Sequence, residues 1–205
     1  MLRSLSFAAA GLLLFSTAAG AASVSRSYSY FTVGGATLSE IEADLGRLGP
    51  HVESTGRRHP GSTAMAFTNS LTFTQTPGAC RIEKAVVRVS AKVTLPRWKR
   101  PQDAEQATGL IWGTLAADIK RHEESHVGIA KAHAHELEKA LMRLGRFPTC
   151  DAANTRAQEV TARILEKHDE EQARFDRVEA KNFESRIMRL LQYKLQRMEA
   201  ARRTQ

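Results

Sequence analysis

The sequence predicts an α+β fold: a small antiparallel β-sheet with one short helix, followed by two long antiparallel helices. Three observations predict it. Apolar residues alternate with period two in the first half. From Asp103 onward they recur at steps of three and four. The change of period coincides with Pro96 and Pro101, and no further proline appears until Pro148.

The elements follow in order. Residues 27–33 (SYSYFTV) are aromatic and β-branched and stop at Gly34-Gly35, which reads as a strand. Thr37-Leu38-Ser39-Glu40 has the capping-box spacing and opens a short helix bearing Leu38, Ile41, Leu45 and Leu48, ended by Gly49-Pro50. A turn-rich stretch containing His59-Pro60-Gly61 comes next. Met65, Phe67, Leu71 and Phe73 then share one face, interrupted by Asn69. Val87, Val89, Ala91, Val93 and Leu95 oppose Arg88, Ser90, Lys92 and Thr94. These are half-buried strands joined by the turn Thr76-Pro77-Gly78. The first long helix carries Ile111, Leu115, Ile119, His122, His126, Ile129, His133, Leu137 and Leu141 on one stripe. Gly145, Pro148 and Cys150 mark the break. The second helix, with Asp151 as N-cap, carries Val160, Ile164, His168, Phe175, Phe183 and Ile187. There is no internal repeat and no low-complexity linker.

The beginning of the chain reads as a signal peptide over residues 1–21. Arg3 is its positive end, residues 7–15 its apolar run and Ala19-Gly20-Ala21 its small-residue cleavage site. No later segment reaches the ~18 apolar residues a membrane helix needs. The expected product is exported and soluble, periplasmic or extracellular, with one α+β domain over 22–183 and a basic amphipathic helical extension over 184–205. Cys80 and Cys150, an even pair without His or Cys neighbours at ligand spacing, suit one disulfide in an oxidising compartment. Of the net charge of +8, residues 181–205 supply most, with seven Lys and Arg against two Glu. That tail suits contact with an envelope surface. Nucleic acid is not expected as a partner, because no aromatic stacking platform or known nucleic-acid motif accompanies the charge.

The chemistry concentrates in His122-Glu123-Glu124-Ser125-His126. Two imidazoles four apart on a helix share a face, roughly 6 Å apart along its axis, close enough to grip one ion. Glu123 then stands beside the metal, where it can take a proton from bound water. This is the His-Glu-x-x-His arrangement of zinc metalloproteases. Catalytic zinc uses three protein ligands and a water, so His122 and His126 need a third. His133 lies roughly 10 Å further along the helix from His126 and is out of reach; His135 faces elsewhere. If the helices are antiparallel about the break, 122–126 face positions near 170–174. One turn to either side come His168, Asp169, Asp176 and, less suitably, Gln172, with Asp176 preferred to His168.

The chain at this point resembles a group of bacterial exported proteins, domain-of-unknown-function family 922, described as predicted secreted zinc-dependent proteases. The resemblance runs to about residue 183. It rests on the early Tyr-containing strand with its Leu-x-x-Ile helix, Gly56-Arg57-Arg58-His59-Pro60-Gly61, Thr94-Leu95-Pro96-Arg97-Trp98, His122 to His126, and Phe175-Asp176. In the family the aromatic-Asp pair is often followed by Thr-x-His-Gly, where this chain has Glu179-Ala180-Lys181-Asn182. If that His is the usual third ligand, it has been lost here. The expected function is zinc-dependent hydrolysis of peptide bonds in a peptide or protein substrate, with one Zn2+ and Glu123 as general base. The alternative is a non-catalytic exported binding or scaffold protein with a structural or degenerate metal site.

Overall fold

The computed structural model describes residues 22–53 and 55–203. The signal peptide assigned to residues 1–21 lies outside the described residues. Strand β1 (Ser23–Val33) leads to helix α1 (Leu38–Leu48), then to the two-residue strands β2 (His51–Val52) and β3 (Arg57–Arg58). Strands β4 (Ser62–Thr76) and β5 (Ala79–Trp98) form a long hairpin, and helices α2 (Gln106–Met142) and α3 (Cys150–Arg203) complete the chain.

The sheet has the order β1-β5-β4. β4 and β5 are antiparallel as expected, but β1 runs parallel to β5, so the sheet is mixed and not antiparallel. Period-two patterning is the same for either direction; the route of the chain through α1 and the β2–β3 hairpin decides which way β1 points. β1 also starts four residues earlier than expected, at Ser23. The β4–β5 turn holds Gly78 at φ 72°, a conformation that favours glycine. β5 passes through Pro96 to Trp98, because β4 pairing ends at Thr94 and no amide is required there on that side.

α1 opens on the expected capping box: the Glu40 amide donates to Thr37 Oγ1, and the Thr37 amide to Glu40 Oε2. The N-cap of α3 is Thr149, whose Oγ1 accepts from the Ala152 amide, and not Asp151, which lies within the first turn. Cys80 and Cys150 form a disulfide, and the Cys80 backbone pairs with Phe147 through two hydrogen bonds. The start of β5 is thus tied to the loop between the long helices.

α2 and α3 pack on one face of the sheet. Val87 and Val89 meet Ala130, Ala134, Leu137 and Leu141 of α2, together with Ala157, Val160 and Ile164 of α3. Small residues on the helices let the three layers approach closely. A second cluster joins Ala91, Val93 and Leu95 to Ile119 and Val127. α3 continues unbroken across the boundary expected at residue 183. Among the described residues, no helix is long and apolar enough to cross a membrane.

Candidate metal centre

On α2, residues four apart share a face and residues one apart diverge by about 100°. His122 and His126 therefore look toward α3, while Glu123 turns toward the sheet and is buried. β4 meets Glu123 there: Thr63 Oγ1 donates to Glu123 Oε2 at 2.8 Å and lies 3.1 Å from the Glu123 carbonyl oxygen. Gly61 closes over the same carboxylate. A Cβ at that position would stand 2.8 Å from Glu123 Oε1 and 2.9 Å from Ile119 Cγ2.

The antiparallel course of α3 brings Phe175 and Asp176 opposite the two histidines. Phe175 stacks on the His122 ring at 5.0 Å and sits edge-on to His126 at 5.1 Å. Asp176 Oδ1 lies 3.2 Å from His122 Nε2 and 3.0 Å from His126 Nε2. The two Nε2 atoms are themselves 3.1 Å apart. Among the described residues, these three form the group that could hold a metal ion.

That geometry fits a zinc ion. Three ligand atoms about 2.0–2.1 Å from a tetrahedral centre stand about 3.3 Å from one another. The three observed separations cluster just below that value. Two imidazoles and a carboxylate leave a fourth position, and the Asp176 side chain is 53% exposed on the cleft side.

The tautomers also agree. Gln172 Oε1 is 2.5 Å from His126 Nδ1, and Gln172 Nε2 donates to the His126 carbonyl at 3.1 Å. The amide oxygen takes the Nδ1 proton, which leaves the lone pair of His126 on Nε2, facing Asp176. Gln172 Nε2 also approaches His168 Nε2 at 2.8 Å, and His168 Nδ1 pairs with Asp169 at 2.9 Å. His168, the competing ligand candidate, is thus a buried packing residue beside Phe67 and His133, and both its nitrogens are engaged elsewhere. Behind His122, Glu179 Oε2 lies 3.6 Å from Nδ1 and pairs with Arg121 and Arg186.

Charge follows from these contacts. Burial raises the pKa of Glu123, more than Thr63 and the histidines lower it. For Asp176 burial acts upward, but hydrogen bonds to His122 and His126 outweigh it and hold the carboxyl well below its usual range. Burial works against the His126 imidazolium, yet Asp176 and Gln172 prevail and its pKa is raised.

A cleft of about 510 Å³ opens on one side of the centre, between β4 and α3, lined by Met65, Phe67, Leu165 and Gln172. A second lobe of about 280 Å³ lies beyond, against Phe183 and Arg186. Both lobes reach His59, Gly61, His122, Glu123 and Asp176, so the centre lies between them.

A family model, described as a bacterial protein of unknown function (DUF922), matches residues 28–184. The chain belongs to DUF922. The match spans β1 to the middle of α3 and includes His122, Glu123, His126 and Asp176. Neither the curated proteins nor the solved structures contain a match. The DUF922 description assigns no activity, so the chemistry rests on the site.

Sequence reasoning passed over Thr63, and it named Gly61 and Glu179 without giving either a role at the centre. Thr63 begins the Thr63-Met65-Phe67 face of β4, so its parity pointed inward. Glu179 follows Asp176 by three residues, one helical turn. Gln172, weighed as a ligand, orients one instead. Tyr28 donates to Glu124 and Tyr30 stacks under Arg97, whereas His59 lines the groove.

Proposed function

We propose that this DUF922 protein is an exported zinc-dependent metallopeptidase. The observation that carries the reading is the convergence of His122, His126 and Asp176 at tetrahedral edge distances beside buried Glu123, between the two lobes of the cleft. A divalent ion in that set supplies a Lewis acid and draws the pKa of its water toward neutrality.

The protein groups do the rest. Glu123 takes the proton of the attacking water and passes it to the leaving amine; burial, which raises its pKa, suits it to both steps. Thr63 and Gly61 hold that carboxylate in one rotamer. Gln172 fixes the face of His126, and Phe175 keeps both rings from turning. His59 lines both lobes beside the centre, with its Nε2 paired to Thr55 Oγ1 at 2.7 Å. The two lobes on either side of the centre suit an extended chain, as hydrolysis of an internal peptide bond requires. The disulfide supports export, since such bonds persist in oxidising compartments.

The test is direct. Purified protein lacking residues 1–21 should bind about one zinc per chain. Glu123→Gln should keep that zinc and lose at least about 100-fold in peptide hydrolysis. Unchanged hydrolysis in the variant refutes the role of Glu123. Unfolding on chelation, with no hydrolysis of any peptide library, would make the ion structural.

A further inference from the structure

The helices cover one face of the sheet; the other is bare. Along β5, Arg81, Lys84, Arg88 and Lys92 alternate with the buried residues and are exposed. Register places Ser25 and Ser27 of β1 beside Ser90 and Lys92, with Ala64 and Ala66 of β4 on the other flank. β1, β4 and β5 together contain one carboxylate, Glu83 at the bulge near Thr72/Phe73, against six Lys and Arg. Among the described residues, none of the four β5 cations pairs with a carboxylate. A shallow depression of about 420 Å³ lies at the middle of this face, floored by the serines and alanines and bordered by Lys92.

From this we infer that the bare sheet face is a docking surface for an anionic polysaccharide. Four residues of strand span about 13 Å, so Lys84, Arg88 and Lys92 form a file of positive charge down the centre of the sheet. A polymer whose anionic groups recur along its length meets that file in register. Ser23, Ser25 and Ser27 of β1 on one side, and Thr68, Ser70 and Thr72 of β4 beyond the alanines on the other, offer donors and acceptors to sugar hydroxyls. The composition argues against other occupants. Along the file from Lys84 to Lys92 no aromatic side chain stands on this face to stack a base, which nucleic acid would use. The apolar side chains along the file are Val86, Ala64 and Ala66, with Met65 at the edge of the depression, which gives a bilayer or a protein interface little to grip. The inference is independent of the hydrolytic reading, because the face lies opposite the helices that carry the metal centre.

The experiment uses the full chain without residues 1–21. Its binding is measured to sodium alginate, a uronic-acid polymer, and to neutral dextran, a single-stranded oligonucleotide and phosphatidylglycerol vesicles. Alginate should bind and be released by rising salt; dextran should not bind. The pair R88Q/K92Q should weaken alginate binding about tenfold. Ser90→Glu, which adds a carboxylate between the two cations, should weaken it similarly. R189Q/R197Q, in the basic end of α3, should leave it unchanged. Circular dichroism establishes that each variant is folded. Equal binding by R88Q/K92Q, loss in R189Q/R197Q alone, or tighter binding of the oligonucleotide or vesicles than of alginate overturns the proposal.

Discussion

Single atoms decide the candidate centre. The hydrogen at Gly61 Cα is there because a methyl would collide with Glu123 and Ile119 at once. Gly61→Ala should therefore displace the carboxylate, cost about 1–3 kcal/mol of stability and depress hydrolysis without removing the metal. Thermal melts and zinc stoichiometry check it; full activity would show that Glu123 does not need its present position. Gln172 is a different case, since it touches His126 and not the proposed ion. Gln172→Leu should weaken zinc binding roughly 10–100-fold through loss of ring orientation. A competition titration with a chromogenic chelator measures this. Asp176→Asn, which removes a ligand charge, should cost more than Gln172→Leu in the same titration.

At the scale of elements, the disulfide sets the hairpin of long helices against the sheet. Cys80 and Cys150 are 70 residues apart, and closing a loop of that length stabilises a fold by about 4 kcal/mol in the chain-entropy model. A Cys80→Ser/Cys150→Ser protein should lose about 2–5 kcal/mol and melt lower, an effect that reducing agent should reproduce in the native chain. The capping box, alternation in β4 and β5, and helical stripe of α2 are local patterns, and all were legible. Helix starts were less so. Thr149 and Asp151 both have side chains that can cap, and only the path of the Phe147–Cys150 segment against β5 selects Thr149.

Across the whole molecule, α3 links the centre to its own far end. Arg186 reaches Asp118 through two hydrogen bonds, at 2.9 and 3.1 Å, and also pairs with Glu179, the carboxylate behind His122. Asp118 is buried, so losing Arg186 leaves it underpaired. Ending the chain after Asn182 should cost roughly 3 kcal/mol, whereas ending it after Arg189 should cost little. Melting temperatures of the two truncations distinguish them.

The pH behaviour is also global. The depressed pKa of Asp176 adds stability that is present above its ordinary value, about 4, and is lost as pH falls below it toward the folded value. The raised pKa of His126 adds stability that is complete below its ordinary value, about 6.5, and is lost as pH rises through the folded value. Burial lowers the pKa of His133, which acts in the opposite sense. The His126 contribution is therefore read in EDTA as the melting-temperature difference between the native chain and His126→Asn, which should shrink from pH 6 to pH 8. Zinc needs neutral imidazoles, so with zinc present the stabilisation should grow over the same interval. A metal-free difference between the two proteins that grows with pH would contradict this electrostatic account.

By itself the sequence determined the α+β order, the positions of the main strands and helices, the Cys80–Cys150 pair, and a histidine face with its adjacent glutamate. Those are features of period, capping and residue chemistry, which act over a few neighbours or have few alternatives. The tertiary structure decided the direction of β1, the meeting of Asp176 with the two histidines, the diversion of His168 to Gln172 and Asp169, and the approach of Thr63 and Gly61 to Glu123. Each depends on how two elements far apart in the chain are offset along and around one another. A shift of one residue along α3 rotates every side chain by about 100°, and only packing against α2 and β5 selects the rotation.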